Sequence, residues 1–174
     1  MQKIRYATGE CSLGAILVAQ SDRGICAIFI GDTQDDLVRD LKAKFPDASL
    51  IETAQELAHI INRVANFIEA PHLGLDLPLD IRGTNFQQLV WQALSKIPAG
   101  STSSYTDIAK SIGAPKAVRA VAGACAANTL AVAIPCHRVV KNDGTISGYR
   151  WGLERKRLLL EREAHLNPSG APFL

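Results

Sequence analysis

Residues 104–128 read SYTDIAKSIGAPKAVRAVAGACAAN. Ser104 can cap a short helix ending at Ile112, and Asp107 three residues on supports that start. Gly113-Ala114-Pro115 is a tight break, and the spacing predicts a second helix from Pro115 to about Ala127, with proline well placed at its beginning. Two short helices joined in this way make a helix-turn-helix outline. The second helix is unusual. It is rich in alanine around Gly123, and only Lys116 and Arg119 are long and polar before Asn128. A helix that reads the major groove needs Arg, Asn or Gln to bond base edges, and this one nearly lacks them. Its small side chains, Ala120, Gly123 and Ala126 among them, would let the backbone come close to something. The minor groove of DNA, met with little regard to sequence, is one candidate. A close helix–helix contact is the other, and composition does not separate them. Arg119, alone among small residues, could fill the gap left by a base taken out of the stack.

Outward from this stretch, Thr84 caps a predicted helix to about Ile97, with Phe86, Leu89, Val90 and Leu94 at helical spacing, and Pro98-Ala99-Gly100 breaks it. Residues 130–140 are apolar and partly β-branched, so they read as extended; an amphipathic helix follows over 153–164, and a loose tail from Asn167. Toward the N-terminus, 3–8, 12–20 and 24–31 read as strands, the last two a hairpin turned at Ser21-Asp22-Arg23-Gly24. Helices are predicted from a Thr33 cap to Phe45 and over 54–69, and 78–83 reads as a linker. The expected class is α+β: a small N-terminal antiparallel sheet with helices over 1–80, then a helical, helix-turn-helix or winged-helix-like domain over 81–174.

With 174 residues, 47% hydrophobic and 21% charged, the chain can bury a core, which excludes disorder and coiled coil. The net charge of +2 hides an asymmetry. Residues 1–80 hold 7 basic and 12 acidic residues, a balance of −5; residues 81–174 hold 12 basic and 5 acidic, a balance of +7. The C-terminal part could face a polyanion. No apolar run approaches the ~20 residues of a membrane helix, and the polar start does not resemble a signal peptide. Cys11, Cys26, Cys125 and Cys136 form no C-x-x-C pair, so free thiols in a reducing cytoplasm are expected, with no metal site.

The segment Ile134-Pro135-Cys136-His137-Arg138-Val139 ends an apolar run in a charged cluster. Nearby cations favour the thiolate, the form of cysteine that attacks. On a strand, Cys136 and His137 would point to opposite sides, so a bridging water suits a proton transfer between them better than a direct bond. A histidine acting as base needs a carboxylate to orient it. Glu161 and Glu163 in the last helix are the candidates, and spacing does not choose.

The Pro135–Val139 motif, followed by Ser147-Gly148-Tyr149-Arg150-Trp151-Gly152, resembles the O6-alkylguanine-DNA alkyltransferase family. The likeness extends to 104–109, to 115–121 and to Asn128, and the first 80 residues, Asp22–Ile28 above all, are similar to the family's ribonuclease H-like domain. The Tyr-Arg-Trp-Gly ending is similar to the C-terminal domain of bacterial Ada. The resemblance implies Cys136 as alkyl acceptor, His137 as its base through a water, and Glu163 as the group holding His137. Asn128 would brace the Cys-His segment, Tyr105 would aid proton transfer at the flipped guanine, and Arg119 would occupy the vacated place in the stack. Val139, Tyr149 and Arg150 would line or cover the pocket. It further implies one irreversible turnover on double-stranded DNA carrying O6-alkylguanine, from the minor-groove side and regardless of sequence. Activity on O4-methylthymine, a monomeric state, and the lack of any cofactor, metal or membrane partner complete the expectation. The zinc-thiolate domain of full-length Ada has no counterpart in this sequence.

Three rival readings are weaker. A non-catalytic alkylated-DNA-binding protein would lack Cys136. A helix-turn-helix transcription factor would carry base-reading side chains. A cysteine hydrolase would place Cys and His far apart in sequence. Among other residues, His59 reads as a boundary histidine, Trp91 and Trp151 as packed, and Arg155-Lys156-Arg157 as a solvated helix face.

Overall fold

The computed structural model describes residues 1–166, so the loose tail expected from Asn167 lies outside the described residues. The described residues form two compact units: Met1–Ile81 together with Thr129–Ala133, and Arg82–Asn128 together with residues 134–166.

In the first unit, β1 (Lys3–Cys11), β2 (Gly14–Ser21) and β3 (Gly24–Gly31) are antiparallel neighbours, and β4 (Ser49–Glu52) runs parallel to β1 at the other side, giving the order β3-β2-β1-β4. The three strands expected from sequence are present; β4 was not legible, because four residues with only two apolar ones carry too little pattern. The sheet is therefore mixed rather than purely antiparallel. Strands β2 and β3 are buried almost throughout, which explains their continuous apolar runs. Helices α1 (Gln34–Lys44) and α2 (Ala54–Glu69) pack on the sheet through Leu37 and Leu41, and through Leu57, Ile60, Ile61, Val64 and Ile68. His59 is exposed on α2 rather than at a boundary, since the apolar stripe passes it by.

Strand β3 would be an open edge, but two other segments close it. Ile25 N–H donates to Pro78 O and Ile25 O accepts from Asp80 N–H, while Ile28 N–H donates to Thr129 O and Ile28 O accepts from Ala131 N–H. Unpaired backbone groups at an edge are costly to leave bare, and this is why 129–133 returns to the first unit. Gly24 lets 78–80 approach: its φ is +148°, and a Cβ there would lie 2.6 Å from Pro78 O.

In the second unit, α3 (Asn85–Ser95) opens with a capping box, Thr84 Oγ1 accepting from Gln87 N–H and Gln87 Oε1 from Thr84 N–H. Helix α4 (Tyr105–Ser111) is capped by Ser104, whose Oγ accepts from Asp107 N–H. It ends with Gly113 at φ +78°, Gly113 N–H bonding Lys110 O and Ala114 N–H bonding Ala109 O. Helix α5 (Val118–Ala126) starts three residues later than predicted, because 115–117 form the turn out of that motif. Trp91 Nε1 donates to Ala124 O and ties α3 to α5. Helix α6 (Leu153–Ala164) has the predicted bounds.

The extended run expected over 130–140 is not present. Leu130 makes one bridge, 131–133 turn with Val132 at φ +60°, and Pro135 (φ −81°, ψ 63°) centres an inverse γ-turn closed by Cys136 N–H on Ile134 O. Cys136–Arg138 then form one 3₁₀ turn, and only Val139–Val140 are a strand, β6, parallel to β5 (Ser103–Ser104). Proline has no N–H for a ladder, so a strand could not run through 135.

Candidate active site

Cys136 and His137 sit on that 3₁₀ turn, so the strand geometry expected for them does not apply. Cys136 is 4% exposed and Asn128, just past the end of α5, 1%. The Asn128 amide donates to Ile134 O at 2.9 Å and to Cys136 Sγ at 3.3 Å, fastening both sides of Pro135. Burial pushes the Cys136 thiol up to about 11, against the opposing pull of the Asn128 hydrogen bond and of the Lys156 and Arg150 charges. The expected effect of nearby cations is thus present but outweighed by desolvation: the resting group is a thiol and needs a base.

His137 is fully buried. Its Nε2 lies 2.5 Å from Glu163 Oε1, and its Nδ1 is buried with no hydrogen-bond partner. Burial lowers its proton affinity, Glu163 raises it, and Arg138 and Lys156 lower it again, for a net downward shift. A neutral ring beside a carboxylate carries its proton on Nε2, assigned here from the network, which leaves Nδ1 with a lone pair. Glu163 is 2% exposed. Burial alone would raise its carboxyl, but the bonds and charges of His137 and Arg138 hold it down to about 2. The choice that spacing left open is settled by geometry: Glu161 is on the exposed side of α6, paired with Arg157.

A cavity of about 470 Å³ opens beside the thiol, within the range of small-molecule pockets. Of the residues singled out from sequence, Cys136, Tyr105, Arg119, Ala126, Tyr149 and Arg150 line it. Tyr105, at the start of α4, donates its hydroxyl to Ser147 O at 3.2 Å, and burial first of all raises its proton affinity. The Tyr149 hydroxyl is buried without a partner, and its ring meets His137 edge-on at 6.4 Å. Val139 does not line the cavity: it is fully buried and pairs with Ser103 in the β5–β6 ladder.

Arg119, Ala120, Ala122, Gly123 and Ala126 form the exposed face of α5, while Val121, Ala124 and Cys125 face inward. A Cβ at Gly123 would meet nothing within 4 Å. The close helix–helix contact that small residues permit is therefore not made on this face.

Lys156 overturns the reading of Arg155-Lys156-Arg157 as a solvated face. It is fully buried, and its Nζ donates to Ser147 O at 2.9 Å and Gly148 O at 3.1 Å, 5.9 Å from the centre of the Tyr105 ring. Lys156, Leu159 and Glu163 are the buried residues of α6, one stripe at helical spacing. That spacing was the available signal, hidden because two of the three are charged. Val118, Cys125, Lys141, Ser147 and Gly148 also line the cavity and were not singled out as site residues. Among the described residues, no group of three or more His, Cys, Asp or Glu is placed to hold a metal ion, and no helix is long and apolar enough to cross a membrane.

Fold and site define a class: an α+β chain whose second unit keeps one protonated thiol buried beside a histidine–carboxylate pair at the wall of a cavity. Residues 4–81 match the family described as 6-O-methylguanine DNA methyltransferase, ribonuclease-like domain, and residues 85–165 its DNA binding domain. The chain belongs to the 6-O-methylguanine DNA methyltransferase family. The bifunctional transcriptional activator/DNA repair enzyme Ada of Escherichia coli is 55% identical over 92% of this chain and 46% of its own length, so the chain spans about half of that relative. The inducible methylated-DNA–protein-cysteine methyltransferase of Bacillus subtilis is 37% identical over 84% of this chain and 82% of its own length. The structure of Mycobacterium tuberculosis OGT in complex with DNA is similar with a TM-score of 0.78 at 34% identity, covering 97% of this chain and 96% of that one.

Proposed function

We propose that this chain repairs DNA by direct reversal, moving the alkyl group from O6 of a guanine flipped out of duplex DNA onto Cys136, once per molecule. The observation that carries this is a buried thiol next to an imidazole with Nε2 tied to Glu163 and Nδ1 left without a partner. His137 Nδ1 takes the thiol proton through a water, and Sγ attacks the alkyl carbon. The S–C bond forms as the C–O6 bond breaks, and Tyr105 gives the departing guanine a proton, which solvent restores from His137. Tyr105 holds its proton at neutral pH, since burial raises its proton affinity, and it lines the same cavity as Cys136. The thioether product is not reopened by thiols, so each molecule works once.

The exposed small-residue face of α5 and the balance of +7 over residues 81–174 support docking on duplex DNA from the minor-groove side, with phosphate affinity independent of sequence. Arg119, at both the cavity and that face, fills the place of the extruded base. Relatives named methylated-DNA–protein-cysteine methyltransferases, matched over most of their length, support the reaction. The test is mass spectrometry after incubation with a duplex containing O6-methylguanine. One methyl on Cys136, lost from the DNA, is expected; methylation elsewhere, or a second round by the same molecules, refutes the reading.

A further inference from the structure

The reaction proposed above leaves Arg138 without a role. It is nearly fully buried, and its guanidinium lies across Glu163. Nε donates to Oε2 at 2.9 Å and to Oε1 at 3.1 Å, Nη2 donates to Oε1 at 3.0 Å, and Nη1 donates to Ile97 O at 2.7 Å. Both carboxylate oxygens are engaged, and Oε1 is also the oxygen that His137 Nε2 reaches. A buried carboxylate without a cation would draw a second proton onto the imidazole beside it, since an opposite charge at that distance favours the charged form. A protonated His137 has no lone pair on Nδ1 and cannot accept the thiol proton.

We propose that Arg138 is a positioning residue for the base: it fixes Glu163 as the acceptor of His137 Nε2–H while offsetting the charge of that carboxylate, so that His137 rests as a neutral acceptor. The planar fork of arginine is suited to this because it grips both oxygens and stays charged. The other charged or titratable groups facing His137 are Lys156 from α6, Cys136 in its own turn, and the Tyr149 ring. Helix α3, also packed on the turn, carries no ionisable side chain between Asn85 and Ser95. Glu163 is the one carboxylate in this set. The inference rests on the assigned reaction only for which proton His137 accepts.

Histidine-selective NMR on the full chain tests it, with the His137 signals assigned by their loss in His137→Gln. In the parent at pH 7, His137 is expected as the neutral Nε2–H tautomer; an imidazolium there overturns the proposal without any variant. Arg138→Gln keeps a donor for Glu163 but drops the charge, and should raise the His137 midpoint by about one pH unit or more. Arg138→Lys keeps the charge and should hold the midpoint near the parent value. An unchanged midpoint in Arg138→Gln, or equal shifts in both variants, overturns the proposal. In single-turnover methyl transfer, the acid limb of the pH profile should move upward in Arg138→Gln by the same amount. A parent protein that transfers no methyl would sink the assigned reaction while leaving the titration result standing. An unshifted His137 midpoint in Arg138→Gln, alongside a parent that does transfer methyl, sinks this inference alone.

Discussion

Replacing Asn128 by alanine separates the two jobs that its amide performs. For stability, the bond to Ile134 O is worth about 1 kcal/mol and the bond to sulfur less. Ile134 O keeps its bond from Cys136 N–H at 2.8 Å, so no carbonyl is left bare. The void left by a fully buried side chain adds a cost of similar size. The sum is about 2–3 kcal/mol, which for a chain of this length lowers Tm by roughly 5–10 °C. For reactivity, the Asn128 bond is the largest influence holding the Cys136 thiol down against burial. Its loss should raise the thiol by about one pH unit, leaving a tenth of the thiolate at fixed pH. The more basic thiolate attacks faster and returns about threefold, so the net slowing is about three- to fourfold. The assay is single-turnover transfer of labelled methyl from a duplex, run well below the Tm of both proteins, with thermal unfolding followed by circular dichroism. A variant that loses stability as expected yet transfers methyl at the parent rate would show that Asn128 braces the turn without touching the ionisation of Cys136.

Other outcomes follow from the same structure. The folded Glu163 carboxyl lies near 2 against an ordinary value of 4.5, so its stabilisation is full above about pH 4.5 and is lost as pH falls toward 2. The amount is on the order of 3 kcal/mol, visible in urea unfolding at pH 6, 4 and 3, and absent in Glu163→Gln. Gly24→Ala should cost about 2 kcal/mol or more, because the new Cβ meets the Pro78 carbonyl at a φ that disfavours any side chain; a Tm equal to the parent's would count against the tight closure of the β3 edge. Arg119→Ala should slow repair of duplex DNA about tenfold or more while sparing reaction with free O6-methylguanine. Equal slowing on both substrates would remove Arg119 from the stack and place it in the chemistry.

Much of the local structure was readable because its causes are local. Thr84, Thr33 and Ser104 announce helix starts through their own side-chain bonds to backbone three residues on. The 3.6-residue recurrence in α2 marks its buried face without reference to the rest of the chain. Failures came where a segment's neighbours decide its conformation. Residues 130–140 have the composition of a strand, yet the Asn128 amide, Pro135 and the bonds to β3 bend them. Val139, counted toward the cavity, is taken up by its ladder with Ser103.

The amino-acid sequence by itself determined the α+β class, the small-residue helix with its single Arg119, and the thiol and imidazole at 136 and 137, since residue types and short spacings suffice for these. Spacing left Glu161 and Glu163 open and the family resemblance pointed to Glu163, which the geometry places against His137; tertiary structure alone decided that Arg138 grips the same carboxylate, that Lys156 is buried, and that Cys136 rests protonated. Each of those depends on desolvation and on partners such as Glu163, 26 residues from His137 along the chain. Burial is a property of the packed molecule and leaves no mark in a single local segment.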